Sequence, residues 1–134
     1  MPEYHGGCLC GATRWIARDE PVTVALCHCS MCRRAAGAPA VAWAMWPLDR
    51  FEWTRGKPAI YASSEGVERG FCGSCGTPLS FGADFLPGLI DVTVGSLDAP
   101  ESLPPRMHIW ESSRLAWLAL ADELPRHREL PPQA

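Results

Sequence analysis

The stretch Phe71-Cys72-Gly73-Ser74-Cys75-Gly76-Thr77-Pro78-Leu79 decides the fold. Two cysteines separated by two residues and followed by glycine form a knuckle. Both sulfurs turn toward one ion, and Gly76 lets backbone amides approach the thiolates. Phe71 on one side and Thr77-Pro78-Leu79 on the other read as flanking strands. A redox dithiol would sit in a βαβ setting, and none surrounds this pair. Structural zinc takes four ligands, so the knuckle needs a partner. Cys8-Leu9-Cys10-Gly11 is the natural one, because residues two apart on a strand face the same side. Two buried core cysteines are the alternative for Cys8 and Cys10.

Working outward from the knuckle, short apolar runs are broken by Gly, Pro and Asp. Strands are expected over 11–18, 22–26, 40–46, 51–54, 59–62, 78–81, 89–94, 107–110 and 115–120. Ser30 is expected to cap a short helix that runs through Ala36 and ends at Gly37. No segment holds a long 3.6-residue periodicity, so the fold class is mainly β with few short helices.

The chain has 134 residues and 47% hydrophobic composition, enough for one core that gains from a metal staple. A net charge of -3 lacks the basic footprint of a nucleic-acid binder. No apolar run reaches the roughly 18 residues of a membrane span. Met1-Pro2-Glu3-Tyr4-His5 has no secretory pattern, so a cytoplasmic location with reduced thiols is expected. The cysteine count is seven, an odd number that cannot pair completely into intramolecular disulfides.

The remaining cluster is Cys27-His28-Cys29-Ser30-Met31-Cys32. Three protein ligands with one position for substrate is the arrangement of catalytic zinc. A second structural zinc, closed by His5, His108 or a carboxylate, fits the spacing equally well. His28 lies between two ligands, and on extended chain its side chain points away from them. It is expected to support the site rather than to ligate.

Three cysteine clusters in this order resemble the glutathione-dependent formaldehyde-activating (GFA) enzyme family, which includes centromere protein V. The resemblance rests on Gly7 to Gly11, Cys27 to Arg34 and Arg69 to Leu79. It continues through Val94-Gly95-Ser96-Leu97-Asp98, Pro105 to Trp110, Trp117, Asp122 and Leu124-Pro125-Arg126. It implies a β-tent fold of small antiparallel sheets stapled by zinc. One domain is expected over 1–126, and the Pro-rich, polar end at 127–134 reads as a loose tail. Cys8, Cys10, Cys72 and Cys75 would hold a structural zinc, and Cys27, Cys29 and Cys32 the zinc of the active site. Two ions per chain are expected, the second only partly occupied. The implied activity is that of S-(hydroxymethyl)glutathione synthase, a carbon–sulfur lyase that joins formaldehyde to the thiol of glutathione. Its partners would be a small-molecule thiol and an aldehyde, with no nucleic acid and no membrane.

An oxyanion develops on the aldehyde during such an addition, so a nearby donor is useful. His28, Arg33 and Arg34 adjoin the cluster and are candidates, although solvated surface is the commoner fate of arginine. Trp15 and Trp117 read as core, Trp43 and Trp46 as core or pocket wall, and His108 as a half-buried, hydrogen-bonded histidine. The competing reading is a non-catalytic, zinc-stabilised binding module.

Overall fold

The computed structural model describes residues 1–132, and they form two sheets. β1 (Glu3–Gly7), β2 (Arg14–Arg18) and β5 (Phe51–Arg55) make a three-stranded antiparallel sheet in the order β1-β2-β5. The second sheet contains β3 (Thr23–Cys27), β4 (Val41–Pro47), β6 (Ala59–Ser64) and β7 (Val67–Phe71). It is completed by β8 (Pro78–Ala83), β9 (Leu89–Thr93) and β10 (Met107–Ile109). Its seven strands run in the order β10-β3-β4-β9-β8-β7-β6. All its pairings are antiparallel except β10 with β3. The mainly β class expected from the broken apolar runs is the one observed.

β4 explains how the sheet carries two different faces. Its run Val-Ala-Trp-Ala-Met-Trp is apolar at every position because both sides are covered. Ala44 and Trp46 face the small sheet. There they join Trp15, Ala17, Val24 and Val92 in the main core. Trp46 is fully buried, and its ring lies 6.0 Å from that of Trp15. Emptying such a site costs about 3–5 kcal/mol. Val41 and Trp43 face the other way and pack with Cys27 and Cys32.

The single α-helix among the described residues, α1, covers Ser30–Ala36 and ends at Gly37, whose φ of 64° suits glycine. Its cap is Cys29, not Ser30: the Cys29 sulfur accepts from the Cys32 amide.

Two further expectations need correction, on residues 115–120 and on Trp117. Residues 115–120 form no strand, because Arg114 Nη1 donates to the carbonyls of Leu115 (3.1 Å) and Leu118 (2.7 Å) and holds the segment in a turn. Trp117 on that turn is 71% exposed and belongs to no core. β1 and β7 were not anticipated as full strands. In the stretch set apart as a tail, the carbonyls of His127, Arg128 and Glu129 accept backbone bonds from Glu111, Ser112 and Trp110. Residues 133 and 134 lie outside the described residues.

Candidate metal centre

Cys8, Cys10, Cys72 and Cys75 converge, their sulfurs all within 4.8 Å of one another. Two turns of like build bring them together. In one, Cys8 N–H donates to the Thr13 carbonyl, and in the other, Cys72 N–H donates to the Thr77 carbonyl, both at 3.0 Å. Gly11 (φ 81°) and Gly76 (φ 83°) close these turns in the left-handed region. The amides of Thr13, Ser74 and Cys75 point at sulfur, at 3.3 to 3.4 Å. Backbone donors of this kind stabilise thiolate charge. The Cys8–Cys10 and Cys10–Cys72 sulfur distances are 3.7 and 3.8 Å. A tetrahedron of Zn–S bonds near 2.3 Å has edges of about 3.8 Å, so the spacing fits that ion.

The second cluster is Cys27, Cys29 and Cys32, again within 4.8 Å. Cys27 ends β3, Cys29 caps α1, and Cys32 lies one helical turn on. The Cys27–Cys32 sulfur distance is 3.7 Å, the same tetrahedral edge. No fourth Cys, His, Asp or Glu joins this group among the described residues. Hydrogen bonds from Cys27 and Cys32 hold the Cys29 thiol far below the ordinary range, and the contact with Cys29 pushes Cys27 above it. The donor set and spacing of both clusters fit zinc.

The sulfurs of the second cluster open into a cavity of about 640 Å³ on the outer face of the large sheet. Trp43, Phe81, Met107, Ile109 and Trp110 give it apolar walls. Arg69 enters from β7 and is the one cationic side chain lining it. Its Nη1 and Nη2 lie 3.6 and 3.7 Å from the Cys32 sulfur. Its guanidinium also rests on the Phe81 ring, 5.0 Å from the centroid. Asp91 lines the same cavity from β9, and burial raises its pKa to about 7.

The residues adjoining the cluster in sequence fare differently. Arg34 is exposed, and Arg33 donates to the Ser113 carbonyl at 3.5 Å. Neither lines the cavity. His28 is fully buried and turns to the opposite side of the strand. Its Nε2 meets His108 Nδ1 at 2.9 Å, and His108 Nε2 meets both oxygens of Asp122 at 3.0 Å. The Asp122 carboxylate accepts from His108 Nε2–H, which leaves His108 Nδ1 to accept from His28 Nε2–H. His28 Nδ1 then has no partner, and desolvation lowers the His28 pKa. Glu111 Oε2 approaches His28 Nε2 at 3.7 Å. The chain joins β3, β10 and the segment at Asp122. His108 is thus more deeply buried than expected, at 1% exposure, and hydrogen-bonded as expected.

Arg69 and Asp91 were not singled out from the sequence. Arg69 lies inside the quoted Arg69-to-Leu79 motif, and Asp91 is the lone acid in the apolar run LIDVTV. A charge on the same strand face as Leu89 and Thr93 was the available signal.

Paired cysteine turns and a three-cysteine cluster under a cavity make this a mainly β domain whose cysteine sets could hold zinc. The sequence profile of the glutathione-dependent formaldehyde-activating enzyme family matches residues 3–113, and the chain belongs to that family. An uncharacterized lyase of Schizosaccharomyces pombe is 39% identical over 89 residues, covering 60% of this chain. The match spans 58% of that relative's length. The crystal structure of a Rhodobacter sphaeroides protein superposes with a TM-score of 0.59 at 24% identity. That match covers 70% of this chain and 87% of the other, and it supports the fold alone. Among the described residues no helix is long and apolar enough to cross a membrane.

Proposed function

We propose that this protein is a carbon–sulfur lyase of the GFA type. It adds a thiol, glutathione or a similar one, to formaldehyde or another small aldehyde, and reverses that step. In the forward direction a carbon–sulfur bond forms, the carbonyl π bond becomes an alcohol, and the thiol proton ends on that oxygen. The reading is carried by the three-sulfur cluster that opens into a cavity. The lyase name of the S. pombe relative agrees with it.

Cys27, Cys29 and Cys32 would hold the zinc of the active site, and Cys8, Cys10, Cys72 and Cys75 a structural one. Zinc bound at the first set would act as a Lewis acid and lower the pKa of an entering thiol. The chain's own residues do the rest. Arg69 sets a permanent positive charge beside the cysteine sulfurs and offers a donor where the aldehyde oxygen becomes charged. Trp43, Phe81 and Ile109 exclude water and so strengthen that electrostatic contact. His28 positions its two neighbours by anchoring the strand end to His108.

Cobalt-substituted protein tests the reading. Glutathione and other small thiols are titrated while the sulfur-to-metal charge-transfer band is followed. A change that grows with pH and disappears in Cys29→Ala is the expected result. If no thiol perturbs the spectrum, the binding-module reading replaces the lyase.

A further inference from the structure

The cavity is far larger than an addition to formaldehyde requires. Its roughly 640 Å³ lies in the range that encloses a drug-sized ligand. Its walls are apolar, and its two charged lining groups are Arg69 and Asp91. Arg69 is engaged with the Cys32 sulfur and the Phe81 ring.

Asp91 is a different case. In the sheet it pairs with Met45 on one side and Phe81 on the other. It keeps some accessible surface, which it shows to the cavity, while the surrounding protein strips water from the carboxylate. Burial alone accounts for its raised pKa, and no arginine or hydrogen-bond donor offsets it. A carboxylate with no protein donor takes its hydrogen bonds from outside the protein. Here that donor comes from what the cavity holds, water or a ligand.

The strand register places the two ends. Cys27 pairs with Val41, and Asp91 with Met45, four residues along β4 and one strand beyond it. At about 3.3 Å per residue and 4.8 Å per strand, the two backbones are roughly 16 Å apart. Both side chains lie on the cavity face, and with about 2.3 Å for a metal–sulfur bond at one end and about 2.8 Å for a charge-assisted hydrogen bond at the other, a ligand on the order of 10 Å long bridges them.

The geometry points to a thiol substrate with an extended apolar body and an amine at its far end, its sulfur at the Cys27, Cys29 and Cys32 site and its amine on Asp91. This rests on the reading of the three-cysteine site as a thiol site. Glutathione is the poorer match. Its two carboxylates meet one arginine already in use, and one of them is carried beside the amine that Asp91 would take.

Hexanethiol, aminohexanethiol with a terminal amine, and glutathione are titrated into cobalt-substituted wild type and into Asp91→Asn. The charge-transfer band reports sulfur binding. In wild type the aminothiol is expected to bind roughly tenfold or more tighter than hexanethiol, as for a hydrogen bond to a charged group. Glutathione should be the weakest of the three. In Asp91→Asn the amine preference should fall to about twofold or less. Equal affinity for the amine and its parent in wild type overturns the inference, as does a preference that survives in the asparagine variant. If thiols bind with no amine preference, this inference falls and the lyase reading stands. If none shifts the band, both fall.

Discussion

Arg69 lays its guanidinium against the sulfur of Cys32, with both terminal nitrogens 3.6 to 3.7 Å away, although 37 residues separate the two in sequence. A cluster of three thiolates around a divalent ion carries net negative charge. An arginine at this distance offsets it without competing as a ligand.

Removing that charge should weaken the site and spare the fold. Arg69→Met keeps much of the stem over Phe81 and loses the guanidinium. Metal affinity at Cys27, Cys29 and Cys32 is expected to fall by about 10–100-fold, as when outer partners of a metal site are removed. Arg69→Lys should recover part of it. Chelator competition measures the affinity, and thermal melts should place all three proteins within about 1 kcal/mol of one another. Unchanged affinity in the methionine variant would remove Arg69 from the account.

The contrast between Arg69 and the pair Arg33 and Arg34 marks the limit of the sequence. The cysteine turns were legible because spacing and glycine report local geometry that the chain must adopt. The apolar runs of β2, β3, β4 and β9 were legible for the same reason. Arg69 reaches Cys32 only because β7 joins the sheet two strands from β9, a pairing no local pattern announces. β1 has the sequence Glu-Tyr-His-Gly-Gly, poor in strand formers, and owes its conformation to its full register with β2. The segment at 115–120 shows the reverse, an apolar run whose carbonyls are taken by Arg114. His28 lies between two cluster cysteines in sequence, yet its ring contacts His108. Its tie to His108, 80 residues on, came from the parallel pairing of β10 with β3.

The two cysteine sets should separate in mutagenesis. Cys72 is 1% exposed, and an ion shared by the four sulfurs would tie its turn to that of Cys8 and Cys10, so Cys72→Ala is expected to lower the melting temperature by roughly 10 °C or more. Cys29→Ala should abolish thiol binding with a much smaller thermal shift. A Cys29 variant as unstable as the Cys72 variant would show that the second cluster is structural too.

Metal release should occur in two phases. An ion on the four-sulfur set would be held by two turns that must separate before it leaves. The three-sulfur set comes from one short segment, Cys27 to Cys32. Under a chelator such as EDTA the second set is expected to empty first, with the far-ultraviolet spectrum unchanged until the slower phase begins. Loss of both ions in one concerted step, with unfolding, would contradict separate roles.

The last expectation concerns Asp91 and pH. An unfolded aspartate titrates near 3.9, and burial raises this one to about 7. The folded pKa lies above the unfolded one, so folding is favoured by the protonated acid and penalised by the ionised one. The stabilising share is complete below about pH 4 and is lost as pH rises through about 7. Asp91→Asn removes the titration and keeps the shape. The variant should therefore be more stable than wild type. The gap should widen by about 1 kcal/mol between roughly pH 6 and pH 7 and flatten above roughly pH 8. Urea melts of the zinc-loaded proteins at each pH measure it, and that range avoids the acid in which thiolates lose metal. A gap that does not change with pH would mean that Asp91 is already ionised and solvated at pH 6. The unpartnered acid in the cavity would then need no donor from a ligand.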